Sequence, residues 1–146
     1  MGTFLTTTRL YAQMSIKRIE TITDEEDYVE YLITHNDKSI GSASLTIRVL
    51  DYNHHINHTI RNESIPLDAK VAELFFYPNS QTSIQRQGVG SKVLEYVLED
   101  SLNRGIKVVY CEVTNNDARQ FFRKKGFRGD YTPHCYYILP LLFRKI

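Results

Sequence analysis

The sequence predicts an α/β fold of the α+β kind: one mixed, mostly antiparallel sheet carrying a strand–loop–helix unit. Three observations carry this. Residues 28–34 and 39–50 are runs of largely alternating apolarity joined by Asn36-Asp37-Lys38, the pattern of an antiparallel hairpin. Residues 71–78 form an apolar strand that leads, through a glycine-bearing loop, into residues 91–103. There Val93, Leu94, Val97, Leu98 and Leu102 join Val89 on one helical face, while Lys92, Glu95, Glu99 and Asp100 fall elsewhere.

A length of 146 residues is expected to make a single domain spanning residues 1–146, with a core of its own. A formal net charge of +1 argues against a general nucleic-acid binder, which needs a basic excess. No run approaches the ~20 apolar residues of a membrane span, so neither nucleic acid nor a membrane is an expected partner. Cys111 and Cys135 fall in separate predicted strands, and no secretory signal is visible. Both are expected to be reduced and buried, in a cytoplasmic protein. Ten Tyr and seven Phe without any Trp read as core and strand filling.

Taken in order, residues 1–14 are polar and threonine-rich and are expected to be a peripheral, loosely ordered leader, with Met14 a second candidate start. Ile16, Ile19 and Ile22 mark a first strand. Residues 23–26 turn, and Val29, Tyr31 and Ile33 share one face of the next strand. Residues 51–68 are polar and hold His54, His55 and His58. With no Cys among them they read as a flexible loop rather than a metal site, and a loop this long is also a candidate substrate-facing flap. The strand over 71–78 sets Glu73, Phe75 and Tyr77 on one face and Leu74 and Phe76 on the other. A carboxylate inside so apolar a strand is either a candidate proton acceptor or a strand-edge glutamate paired with a lysine. Residues 106–114 form the next strand, Asn115 or Asn116 caps a short helix over 117–125, and Gly126 stops it. Arg119, Arg123, Lys124, Lys125 and Arg128 make a basic cluster, ordinarily a solvated helix face. Residues 136–143 close the chain as a strand with Pro140 near its end.

The loop between strand and helix is Gln85-Arg86-Gln87-Gly88-Val89-Gly90. Glycines let the backbone approach a ligand closely, and the N–H groups opening the following helix suit a phosphate. Neither the P-loop lysine nor the first glycine of the dinucleotide fingerprint is present, which disfavours nucleotide hydrolysis and hydride transfer.

The spacing Gln85-x-x-Gly88-x-Gly90 resembles the acyl-CoA pyrophosphate loop of the GNAT superfamily of N-acetyltransferases. Downstream, Asn115-x-x-Ala118, the pair Phe121-Phe122 and Gly126-Phe127 resemble that family's second motif, in the right order and at family-like spacing. The likeness covers roughly the second half of the chain. It implies a GNAT-like sheet, here with little room for the usual N-terminal helices. It also implies acetyl-CoA as cosubstrate and a primary-amine acceptor, either a small molecule or a lysine-bearing protein, in a monomer or homodimer. By the same resemblance, Phe75, Phe76, Tyr77, Gln85, Arg86, Gln87, Gly88, Val89, Gly90, Ser91, Asn115, Ala118, Phe121 and Phe122 would bind the cosubstrate. Glu73 would be the general base, as on the matching strand of histone-type lysine acetyltransferases, and the backbone near Phe76 the oxyanion donor. Many members use a tyrosine as general acid where this chain has Phe122. The weight would then fall on Glu73, with Tyr77 and Tyr110 as assisting groups, and the alternative is a non-catalytic acyl-CoA-binding domain.

Overall fold

The computed structural model describes residues 3–11, 14–78, 88–129 and 133–140. Seven strands, β1 (Thr3–Tyr11), β2 (Met14–Ile22), β3 (Asp27–His35), β4 (Lys38–Val49), β5 (Lys70–Pro78), β6 (Ile106–Glu112) and β7 (His134–Ile138), form one sheet in sequence order. Among the described residues three helices join them: α1 (Ile56–Thr59), α2 (Val89–Asn103) and α3 (Asn116–Lys124). The mixed, mostly antiparallel sheet predicted from the sequence is present. A parallel pair, β5 and β6, is joined by the α2 crossover that parallel strands require. No helix among the described residues is long and apolar enough to cross a membrane.

β1, β2 and β3 pair antiparallel along their full lengths, from Thr3↔Ile22 to Tyr11↔Met14 and from Met14↔His35 to Ile22↔Asp27. Residues 3–11 are therefore a paired edge strand, not the loosely ordered leader their composition suggested. β-Branched threonines favour the extended backbone, and a strand at the sheet edge can leave polar side chains in water. The β3–β4 connection puts both Asn36 (φ 50) and Asp37 (φ 64) in the left-handed region, the geometry of a type I′ hairpin. No helix interrupts β1 to β4 among the described residues.

Contacts divide the chain into two units, residues 1–46 with 74–100 and residues 47–73 with 101–146. In the first, Ile16, Val29, Tyr31, Ile33, Ala43 and Leu45 are buried on period-two faces, and Val93, Leu94 and Val97 on the inner face of α2. Asp100 lies on that inner face too, which corrects its placement away from the apolar face. It sits one turn beyond Tyr96 and Val97, is only 5% exposed, pairs with Arg18 and accepts a 2.5 Å hydrogen bond from the Tyr31 hydroxyl. Its charge argued for solvent, but helical position and two partners decide otherwise. Tyr96 meets the Tyr31 ring edge-to-face at 5.8 Å.

In the second unit Leu50, Ile56, Ile60, Val71, Val108 and Tyr110 form a core, joined by Tyr136 and by the partly buried Ile65 and Ile138. Residues 51–68 are thus a packed cover with its own turn of helix, not the flexible loop expected. Ile56, Ile60 and Ile65 supply the apolar anchors that a polar composition hid. Glu63 fastens the cover, accepting from Arg128 at 2.7 Å and from the Tyr136 hydroxyl at 3.1 Å. Leu50 bonds Ala69 and Asp68 bonds Leu50 where the excursion closes, at 2.8 and 3.0 Å. β7 begins two residues earlier than the sequence pattern suggested, because His134 and Cys135 pair with Glu112 and Cys111. It ends at Ile138, and residues 141–143 of the expected strand lie outside the described residues. On its other side Tyr136 exchanges both backbone hydrogen bonds with Arg128, at 2.8 and 3.0 Å.

Candidate functional site

Burial along β5 falls residue by residue on one face: Val71 is buried, Glu73 half-buried and Phe75 37% exposed. On the other face Ala72 and Leu74 are buried and Phe76 is half-buried. The registered β5–β6 ladder runs from Lys70↔Ile106 to Glu73↔Tyr110, while β5 itself continues to Pro78. Glu73 therefore stands at the last registered pair, directly beside Tyr110. Of the three expected catalytic residues these two are together, and Tyr77 contributes its backbone to β5.

Tyr110 is buried, and burial together with the charge of Glu73 pushes its hydroxyl pKa well above the usual phenol range. It therefore stays protonated through neutral pH. The cover over residues 51–68 brings two histidines to it. His54 Nε2 lies 3.5 Å from the Tyr110 oxygen, and the His54 and His55 rings stand edge-on to the Tyr110 ring at 5.8 and 5.6 Å. His134, the register partner of Glu112 on β7, joins at 6.0 Å from Tyr110 and 5.5 Å from His55. Sequence reasoning missed this grouping. Its only signal was three histidines in one polar segment, and nothing local says which strand they would meet. Among the described residues no group of three or more His, Cys, Asp or Glu is arranged to hold a metal ion.

The expected pyrophosphate loop is described from Gly88 onward; Gln85, Arg86 and Gln87 lie outside the described residues. Gly88 has φ +74, a conformation natural to glycine, and among the described residues beyond its chain neighbours none comes within 4 Å of the place a Cβ would take. Its carbonyl accepts the Lys92 N–H at 3.1 Å, so α2 starts at Val89, two residues earlier than predicted. Val89, Gly90 and Ser91 are half-buried in the first turn, where helical N–H groups have no intrahelical acceptor, and no acidic side chain stands there. The end of this 15-residue helix is electropositive.

Asn115 is the N-cap of α3. Its backbone is extended (φ −140), and its side-chain oxygen accepts the Ala118 N–H at 2.8 Å. Ala118 and Phe121 are half-buried on this helix. Phe122 is 8% exposed and packs against Phe121 and Phe127, with centroids at 5.3 and 5.0 Å. Gly126 ends the segment at φ +93, and a Cβ there would press on the Tyr137 ring at 3.0 Å. Two members of the basic cluster serve the fold: Arg119 donates to the Gly129 carbonyl at 2.5 Å, and Arg128 pairs with Glu63. Cys111 and Cys135 face one another across the β6–β7 ladder as buried thiols. Burial, then the neighbouring Cys135, pushes the Cys111 pKa up to about 12.

The profile of the acetyltransferase (GNAT) family matches residues 7–127. Among solved structures, the chain is similar to that of Arabidopsis thaliana NAA60 in complex with acetyl-CoA, at 18% identity over 76% of each chain and a TM-score of 0.58. It is similar to AtaTR bound with AcCoA, at 17% identity over 76% of this chain and 70% of that one, with a TM-score of 0.54. A third likeness is to a tyrosine-to-phenylalanine mutant of KacT, at 20% identity over 76% and 71% of the two chains, with a TM-score of 0.57. At these identities the structural likeness is one of fold. No curated protein matches the sequence.

Proposed function

The chain belongs to the GNAT family of acetyltransferases, and from that premise we propose that it transfers the acetyl group of acetyl-CoA to a primary amine, such as a protein or peptide lysine, with Glu73 as general base. The observation that carries this reading is Glu73 itself: a half-buried carboxylate at the last registered pair of a parallel ladder, beside a tyrosine that keeps its proton.

The residues fit such a cosubstrate. Among the described residues Gly88 leaves open space before an electropositive first helical turn free of acidic side chains, which suits a pyrophosphate. The Asn115 oxygen already accepts the cap N–H, while its amide nitrogen is a donor suited to the carbonyls of the pantetheine arm. Acetyl-CoA supplies an activated acyl carbon; the protein must do the rest. A lysine amine has a reference pKa near ~10.4, so a base is needed to present it neutral near pH 7. Glu73 takes that proton, directly or through a water. The backbone N–H near Phe76 stabilises the negative charge developing on the carbonyl oxygen, a contribution of about 3–4 kcal/mol. Phe122 has no proton to give, so the weight of proton transfer falls on Glu73, with Tyr110 and Tyr77 as assisting groups.

Calorimetric titration with acetyl-CoA and an amine-acceptor assay led by lysine peptides test this. Micromolar binding, about −8 kcal/mol, is expected. Glu73→Gln is expected to keep that affinity and lower turnover on the order of 10²-fold. Equal turnover in both proteins would remove Glu73 from the mechanism, and absence of acetyl-CoA binding by folded protein would sink the enzyme reading. One observation favours a second reading, a non-catalytic acyl-CoA-binding domain: the buried Phe122, at the place where the family resemblance implies a tyrosine general acid. Binding of acetyl-CoA with no transfer to any amine would select it.

A further inference from the structure

The reaction outlined above leaves the histidines over Tyr110 without a task, and the geometry of one of them is specific. His54 Nδ1 accepts the backbone N–H of Ile56 at 3.2 Å. A neutral imidazole has one N–H and one lone pair, so a ring that accepts at Nδ1 carries its hydrogen on Nε2. Nε2 is the atom that faces the Tyr110 oxygen at 3.5 Å, so His54 is the donor in that pair. Burial, then the neighbouring His55, lowers the His54 pKa. Arg48 on β4 acts in the same direction and Asp51 opposes them, so the neutral ring prevails at neutral pH.

Once the Tyr110 oxygen accepts from His54, its own hydrogen must point elsewhere. The His55 and His134 rings stand against the Tyr110 ring, while Glu73 is its register neighbour and close enough for its charge to act on the hydroxyl. Resting on the acetyltransferase reading, we propose that His54 is a positioning residue: it donates from Nε2 to Tyr110, which turns the Tyr110 hydrogen to the Glu73 carboxylate and leaves the other carboxylate oxygen open to the acceptor amine. The packed cover over residues 51–68 is then part of the catalytic apparatus, because it sets the orientation of the base.

Two substitutions separate this role from a structural one. His54→Asn keeps an acceptor for the Ile56 N–H near the Nδ1 position and removes the donor that reaches Tyr110. Tyr110→Phe removes the middle of the chain. Each is expected to lower kcat about tenfold, the scale of one hydrogen bond, with KM for acetyl-CoA unchanged. The double variant is expected to be no slower than Tyr110→Phe alone, and His54→Gln, which restores an N–H donor, is expected to recover part of the rate. Effects that multiply in the double variant would overturn the proposal. Nitrogen NMR of the His54 ring in the wild-type protein is independent of turnover. An Nε2–H tautomer whose signal shifts in Tyr110→Phe supports the proposal, and an Nδ1–H tautomer overturns it. If the wild type transfers no acetyl group, the proposed function falls and the ring tautomer still decides the His54–Tyr110 bond.

Discussion

The Tyr31 hydroxyl donates to Asp100 Oδ2 at 2.5 Å, while Arg18 pairs with Oδ1 of the same carboxylate. A strand-to-strand-to-helix junction is thus tied by one buried acid with two partners. Neither is adjacent in sequence: they lie 69 and 82 residues away.

Asp100→Ala is expected to destabilise the protein by about 3 kcal/mol, because it leaves the mostly buried Arg18 without this partner. Tyr31→Phe is expected to lose about 2 kcal/mol, the scale of a hydrogen bond to a charged group. Urea unfolding of both variants checks the order. A wild-type midpoint for Asp100→Ala would mean that this buried carboxylate and its two partners contribute little net stability.

Burial, followed by the Asp100 charge, raises the Tyr31 pKa far above that of a free phenol. A raised folded pKa stabilises the protonated form. Its contribution is fully present below the unfolded tyrosine value near ~10 and is lost as pH rises beyond it. Stability measured at pH 9 and 11 is expected to fall between the two, and to fall less in Tyr31→Phe. Tyr110 adds a loss of the same sign.

Cys111 and Cys135 are buried opposite one another, and the Cys111 pKa is pushed up to about 12. An aromatic disulfide reagent at pH 8 is therefore expected to label neither thiol in the native protein and both after denaturation. Prompt labelling of the native form would show that the β6–β7 ladder opens locally.

Asn115 separates capping from ligand binding. Asn115→Ala is expected to cost about 1 kcal/mol, the usual loss of an N-cap. Asn115→Asp keeps an accepting oxygen and so most of that stability, but loses the amide N–H groups. It is expected to weaken acetyl-CoA binding in calorimetry while melting near the wild type. Unchanged affinity would leave Asn115 a cap alone.

Wherever neighbours along the chain determine conformation, the sequence was readable. Asn36-Asp37 announces its hairpin because those residues tolerate left-handed backbone. β5, α2 and β6 show their periods, and Asn115 with Gly126 brackets α3 through an N-terminal cap and a terminal glycine. The family likeness in Gly88, Gly90, Asn115 and Phe127 is equally local.

Tertiary structure alone decided where charge and imidazole went. In the sequence Asp100 stands apart from the apolar face of its helix, because a pattern that separates charged from apolar residues cannot see Arg18 and Tyr31 arriving from distant strands. Residues 51–68 looked mobile because three isoleucines in a polar stretch show no period; only the surface offered by Val71, Val108 and Tyr110 gives them something to bury. His54 meets Tyr110 across 56 residues. Local pattern reports the backbone's preferences over a few residues, whereas the free energy that orients a buried polar group comes from partners the chain supplies only once it has folded.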